Sequence, residues 1–285
     1  MTQTREEDYY KLNCFLSIKD ILNSWPDNIT FIINKQIKDF KSKERTIKHK
    51  YFIEYQSPYI SLSKARNSLS KIARKNYKES DYFIHIDDDA YIYDLNLLMQ
   101  SLLYLKRNNI NSLIIGSICK PNLEPINKHI KNYKTFKNLN LFNHNSIMGS
   151  CICYGRDLIK KKIFFNEDFG LGAKFGGSEE TELFFQAISH KIKIVYNPLF
   201  IVIHPPTFKN QYGFKKMFKY GFGRGALYKK YFDSNQIKMT FFFLVSIFSN
   251  LGLSFIGLLI FNRSYSIRNI ALFIGKILGF IKFKI

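Results

Sequence analysis

At 285 residues and 33.6 kDa, the chain can bury a full core as one large domain, or as one domain with an appendage. A formal charge of +21 points to an anionic partner: nucleic acid, phosphate-bearing small molecules or an acidic membrane surface. Its four cysteines, Cys14, Cys119, Cys151 and Cys153, show no Cys-x-x-Cys and no metal-ligand spacing. That speaks against a thiolate metal site and fits a reducing cytosolic face. The stretch from Met1 to Asp8 is too charged for a signal peptide.

In chain order, Ser17 to Trp25 carry Ile18, Ile21 and Leu22 on one side, the pattern of a short helix. Ile29 to Ile33 and Tyr51 to Tyr55 read as strands, with the basic run Lys35 to Lys50 as a solvated connection between them. From Ser61 the period changes. Leu62, Ala65, Leu69, Ile72 and Ala73 recur at helical spacing, and Ser61 or Ser63 can serve as the N-cap. Arg66 sits on the edge of that stripe, where a guanidinium either snorkels to the surface or meets an anion, as in a diphosphate or base contact.

Tyr82 to Ile86 form a short apolar run, the pattern of a parallel strand buried on both faces. It leads into Asp87, Asp88 and Asp89, which repel one another unless a cation or hydrogen-bond donors offset their charge. Strand alternation would turn Asp87 and Asp89 one way and Asp88 the other. Two carboxylates on one face suit a hard divalent ion such as Mg2+ or Mn2+. The competing reading is a polar loop whose acids face water and cap the next helix.

Leu95, Leu98, Met99, Leu102 and Leu105 make an amphipathic helix with Asp94 near its start. Ser112 to Ile118 read as a buried strand and Lys120 to Asn145 as a long mobile loop over a site. Ile147 to Tyr154 read as a strand in which Gly149 can admit a ligand and Cys151 and Cys153 face one side. Arg156 and Asp157 open a short basic helix. Gly170, Gly172, Gly176 and Gly177 then permit a tight loop close to a ligand. Ser178 can cap the following helix, where Glu179 and Glu182 complement the helix dipole. Glu180 precedes Leu183, Phe184 and Ala187 on the line of the buried stripe, which gives it the features of a general base. Ile192 to Tyr196 and Leu199 to Ile203 read as two strands about an Asn197-Pro198 turn. His204 follows, halted by Pro205-Pro206. A lone His is more often structural, but beside paired carboxylates it is a candidate third metal ligand.

Tyr212 to Phe232 interleave Lys and Arg with aromatic residues and glycines, the composition of a segment lying on an anionic bilayer. Thr240 to Phe261 hold no charge and are long enough to cross a membrane, a buried apolar helix being the alternative. Ser264 to Ile285 either cross back or lie in the interface. Basic flanks before Thr240 put the remainder of the chain on the cytoplasmic side. The chain thus divides at residues 1–208, 209–238 and 239–285. A nucleic-acid partner is set aside, because the basic residues are spread or sit beside the apolar tail and no nucleic-acid motif occurs.

The ordered set Ser63-Lys-Ala-Arg66-Asn67, Asp87-Asp88-Asp89, Phe165-Asn-Glu-Asp-Phe-Gly170 with its glycine loop, Glu179-Glu180-Thr181 and His204 resembles the family 2 glycosyltransferases. That resemblance covers roughly residues 29–232. It implies a GT-A fold, a mixed α/β nucleotide-diphospho-sugar binding domain, here followed by membrane-associated helices. It implies inverting transfer of a sugar from a nucleotide diphosphate to a glycan or lipid-linked acceptor, with Mn2+ or Mg2+ as cofactor. Asp89, Asp87 and His204 would hold the metal. Arg66, Asp87, Asp88 and Gly149 would bind the donor, and Glu180 would be the base, standing where the family usually has Asp. Two departures stand out: no first strand ending in Pro and Asn is visible in residues 1–28, and Asn34 replaces the acid usually found after the second strand. These departures bear on base recognition and point to a shortened, weakly active enzyme; the alternative function is a membrane-tethered nucleotide-sugar binder without catalysis.

Overall fold

The computed structural model describes residues 2–5, 30–38, 45–48, 52–76, 81–126, 134–145, 147, 149–204, 213–233 and 235–284. The helix expected over Ser17 to Trp25, with Cys14 before it, lies outside them. Two compact units divide the chain. One comprises Met1–Ile60, Lys64–Phe165 and Leu183–Pro206, the other Ser61–Ser63, Asn166–Glu182 and Thr207–Ile285.

The first unit holds two sheets. Strands β1 (Thr2–Arg5), β2 (Phe31–Ile37), β3 (Arg45–Lys48) and β4 (Phe52–Pro58) are ordered β1-β2-β4-β3. β1, β2 and β4 run parallel, and β3 lies antiparallel on β4. β1 supplies a strand inside residues 1–28, and β3 falls in the run read as a solvated connection. Neither carries an apolar alternation, so only pairing with a neighbour makes it a strand.

The second sheet contains β5 (Tyr82–His85), β6 (Tyr91–Ile92), β7 (Leu113–Cys119), β8 (Lys137–Leu139), β9 (Ile152–Gly155) and β10 (Ile194–Ile203). Its order is β5-β9-β7-β10-β6, with β8 also on β10. β5 differs from the expected parallel strand buried on both faces. Among the described residues it pairs only with β9, antiparallel, and Tyr82 and Ile84 are only half-buried. Because β9 is antiparallel to β7 as well, and β7 is parallel to β10, the strands β5, β7 and β10 all point one way. Their carboxyl ends therefore share one edge of the sheet.

Three further expectations change. β10 is one strand, since Asn197-Pro198 forms a bulge at which the register against β7 shifts; a proline is tolerated there because a bulge leaves its residue outside the ladder. Asn197 is buried, donates Nδ2 to Ser101 Oγ at 2.8 Å and accepts from Leu199 N at 3.0 Å. The loop from Lys120 contains β8 and a 3-10 turn at Leu141–Asn143. Gly149 opens a second 3-10 turn, Gly149–Cys151, ahead of β9, so it is not a strand residue.

Side-chain alternation builds a core on each face of the second sheet. Leu113, Ile115, Ile152 and Tyr154 pack on one face with Leu69 and Ala73 of α1 (Leu62–Asn76) and with Leu183, Phe184 and Ala187 of α4 (Glu179–Ser189). Ile114, Ile118, Cys151 and Cys153 pack on the other with Leu98, Leu102 and Leu105 of α2 (Leu95–Arg107). Asp94 caps α2, accepting from Leu97 N at 3.0 Å. A short α3 (Arg156–Lys160) follows β9.

The second unit contains the glycine loop, the first turn of α4, and three helices: α5 (Phe214–Lys230), α6 (Gln236–Leu259) and α7 (Arg263–Lys282). Both α6 and α7 are long and apolar enough to cross a membrane. Glycines let α5 approach its neighbours closely. A Cβ at Gly221 or Gly225 would strike the backbone of Leu272 or Lys276 in α7, and one at Gly275 or Gly279 the backbone of Phe218 or Phe222 in α5.

Candidate active site

Asp87 and Asp89 follow β5, and His204 follows β10, so strand direction alone sends all three to the same sheet edge. Asp87 to Asp89 form a turn rather than a strand continuation, with Ala90 N donating to Asp87 O at 3.2 Å. The turn, not the pleat, brings Asp87 and Asp89 together. His204 is fixed by its backbone N, which donates to Cys119 O at 3.0 Å at the end of β7. One ligand atom from each of Asp87, Asp89 and His204 lies within 4.8 Å of the other two. His204 Nε2 is 3.2 Å from Asp89 Oδ1, and the Asp89 side chain is 54% exposed.

Donors about 2.1 Å from one small divalent ion lie at most about 4.2 Å apart, and the three ligand atoms, all within 4.8 Å of one another, need at most a small side-chain adjustment to meet that span. Two carboxylates and an imidazole make a mixed O,O,N donor set that Mn2+ accepts more readily than Mg2+. The residues present therefore fit a divalent cation.

Arg66 completes the cluster. It is buried, and its Nη2 pairs with Asp87 Oδ1 at 2.9 Å. Its guanidinium carbon lies 5.1 Å from the centre of the Phe165 ring. Asn67, the next residue on α1, clamps Phe165 from both sides: its Nδ2 donates to Phe165 O at 2.8 Å and its Oδ1 accepts from Phe165 N at 3.1 Å. Ser70 donates to Arg66 O at 3.0 Å and lies 3.2 Å from Nε2 of the buried His85. Burial above all pushes the His85 pKa well below its usual value, with the nearby Arg66 charge acting in the same direction. Asn67 and Phe165 thus position Arg66, a role the sequence reading did not assign. The available signal was an amide one residue after a buried arginine. Gly149 lies in the turn leading into β9, which begins at the same sheet edge, and Asp88 sits half-buried in the acidic turn.

Glu180 belongs to the second unit. There Gly170 (φ 107°) and Gly172 (φ 79°) take left-handed conformations, and a Cβ at Gly170 would meet Ser63 Oγ at 2.8 Å. Ser63 Oγ donates to Phe169 O at 2.5 Å and Leu62 N to Leu171 O at 2.9 Å, which ties the start of α1 to the loop. Phe175 N donates to Asp168 O at 2.7 Å and closes it. Ser178, left-handed at φ 70°, offers its carbonyl to Glu182 N at 2.8 Å. Contrary to the stripe reading, Glu179 and Glu182 are buried and Glu180 is half-buried. Glu182 pairs with Lys230 Nζ and accepts from Tyr231 Oη at 3.0 Å.

No protein-family model matches the chain, and no curated protein sequence matches it. Solved structures do. Mannosyltransferase PcManGT from Pyrobaculum calidifontis, in complex with GDP-Man and Mn2+, is similar at a TM-score of 0.51 and 10% identity, over 80% of this chain and 62% of its own. Its fold is shared with glycosyltransferases. S. aureus TarS is similar at 0.52 and 12% identity, over 81% of this chain and 42% of TarS. Residues 1–349 of TarS in complex with UDP match at 0.51 and 12% identity, over 96% of this chain and 89% of that one. The chain thus spans less than two thirds of the mannosyltransferase and of the longer TarS structure.

Proposed function

We propose that this chain is an inverting, metal-dependent glycosyltransferase of the GT-A, family 2 kind. It would move a sugar from a nucleotide diphosphate to a hydroxyl of a glycan or lipid-linked acceptor, in surface polysaccharide or glycolipid synthesis. The observation that carries the reading is the gathering of Asp87, Asp89, His204 and Arg66 on one sheet edge, in a fold shared with proteins solved with GDP-Man and Mn2+ and with UDP. Asp87, Asp89 and His204 would hold Mn2+ or Mg2+, which would offset charge on the departing diphosphate. Arg66, held by Asp87 and Phe165, directs a fixed guanidinium at the diphosphate or base. Asp88 and Gly149 line the donor site.

Glu180 takes the proton from the acceptor hydroxyl as its oxygen bonds to the anomeric carbon. The bond from that carbon to the diphosphate breaks with its electron pair leaving on the diphosphate, and this single displacement inverts the carbon. The apolar helices α6 and α7 and the basic residues around them support membrane attachment, with the sheet-bearing unit on the cytoplasmic face.

Asn34 stands where the family has an acid, is buried, and accepts from Ser57 Oγ at 2.9 Å, a departure that bears on recognition of the base. The alternative function is a nucleotide-sugar binder without turnover. Full-length protein in detergent, incubated with Mn2+ and UDP- and GDP-sugars, separates the two. Glu180→Gln should lose roughly 10²–10⁴-fold in turnover with donor affinity kept, and Asp89→Asn should lose Mn2+ binding by titration calorimetry. Metal-dependent nucleotide binding without turnover would leave the binder; no metal or nucleotide binding by folded protein would remove both.

A further inference from the structure

The α6–α7 pair has its polarity inverted relative to a helix pair in water. On α6, Ser246, Asn250, Ser254 and Gly257 follow one another at spacings of four, four and three, a single line along the helix. That line faces α7. Asn250 Nδ2 donates to Asn269 Oδ1 at 3.0 Å, Ser254 Oγ lies 2.9 Å from Ser266 Oγ, and Lys276 Nζ donates to Ser246 and Asn250. A Cβ on Gly257 would meet Ser266 N at 2.8 Å. The outward face is the opposite: Phe241, Val245, Phe248, Phe255 and Leu259 are each more than half exposed. On α7, Ile267, Ile270 and Ile274 are each more than a third exposed and Ile281 about two thirds. Water penalises both features, the buried Lys and Asn and the exposed aromatic stripe. Hydrocarbon favours the outward apolar faces, which meet lipid, and the Asn and Ser side chains bonded across the helices; Lys276 is tolerated there through its bonds to Ser246 and Asn250.

The two helices join through a tight turn, Ile260 to Asn262, in which Asn262 N donates to Gly257 O at 2.8 Å and Asn262 Oδ1 accepts from Tyr265 N at 3.0 Å. Beyond the turn, α7 runs back. Phe280 stacks on Phe243 of α6 at 4.4 Å, and Phe283 packs on Phe175 of the glycine loop at 5.2 Å. The last turns of α7 are therefore locked to the loop and, through Gly275 and Gly279, to α5. The 24 residues of α6 rise about 36 Å at 1.5 Å per residue, against a hydrocarbon core of about 30 Å, while the turns of α7 from Leu272 onward stand beside α5. Lys229, Lys230, Lys238, Lys282 and Lys284 mark the root of the pair, and Arg263 and Arg268 its tip.

We propose that α6 and α7 cross the lipid bilayer together as one hairpin, with the Asn262–Arg263 turn on the far side and Lys282–Lys284 returned to the side of the glycine loop. The occupant of the apolar faces is lipid hydrocarbon, and the larger basic count at the root sets it on the cytoplasmic side. The proposal deepens the membrane attachment above and rests on no part of the sugar chemistry, so the two fail independently.

The test uses full-length protein with Cys14→Ser, expressed in bacteria, carrying Ser264→Cys, Lys284→Cys or, as reference, Lys174→Cys in the glycine loop. A membrane-impermeant maleimide is applied to spheroplasts and to inverted vesicles. Ser264→Cys should label from the outside only, and Lys284→Cys and Lys174→Cys from the inside only. Labelling of Ser264→Cys and Lys284→Cys from one side, or of Lys284→Cys opposite Lys174→Cys, would overturn the hairpin. Recovery as a water-soluble dimer would overturn it too, since a second copy would then cover the faces. Independently, Ser254→Cys with Ser266→Cys should cross-link within one chain on oxidation in the membrane; failure to do so would remove the seam.

Discussion

Arg66 carries a charge into the core and meets Asp87 and the Phe165 ring there. If Asp87 also serves a cation, Arg66 competes with it while assisting the donor. Arg66→Met should therefore tighten Mn2+ binding in the absence of donor and weaken UDP or GDP binding. A hydrogen bond to a charged group contributes about 1.5–3 kcal/mol, so the nucleotide should lose roughly ten- to hundred-fold in affinity. Calorimetric titrations of metal and nucleotide check both signs, and a parallel loss of the two would count against the assignment.

The acids show what spacing reveals at this scale. Asp87, Asp89 and His204 were legible as candidates for one cluster, and their ligand atoms lie within 4.8 Å of one another, because adjacent carboxylates need a partner wherever they sit. The burial of the glutamates was not legible. Periodicity describes one buried face of a helix, but the first turn of α4 also meets Lys230 and Tyr231, which cover Glu182 on another side.

At the scale of elements, Glu182 joins α4 to the end of α5 through Lys230 and Tyr231. Glu182 is fully buried and Lys230 about a quarter exposed. Removing one partner strands the other, which costs about 3–5 kcal/mol for a buried pair; solvent at Lys230 places the expectation near the lower end. Glu182→Gln and Lys230→Met should each lower the thermal midpoint sharply, and the double variant should recover part of the loss. Purely additive midpoints would show the pair uncoupled. Helices α1 and α2 were legible because their stripes persist over several turns. Strands β1 and β3 were not, and β10 was read as two strands at Pro198, because pairing with a neighbour overrides weak local signals.

For the whole molecule, burial raises the pKa of the Cys153 thiol and the Tyr82 phenol well above their ordinary values. Both groups stay protonated in the folded chain while the unfolded chain ionises near pH 8.5 and 10. The Cys153 contribution is fully present below about pH 8.5 and is lost as pH rises, at about 1.4 kcal/mol per pH unit; half-buried Tyr82 adds a smaller, solvent-screened loss above about pH 10. Melting should weaken between pH 8 and 10.5, and Cys153→Ala should flatten that slope; an unchanged slope would argue against thiol burial as its cause.

Composition and spacing alone determined an α/β chain with an acidic strand end, a glycine loop leading into an acidic helix and an apolar tail, because each of these is a local pattern. Tertiary structure alone decided that β5, β7 and β10 end on one edge, that Asp87 to Asp89 turn rather than pleat, and that α7 folds back along α6. The reason is physical: strand direction, close glycine contacts and hydrogen bonds between helices arise only when distant segments pack, and local periodicity holds no record of the neighbour.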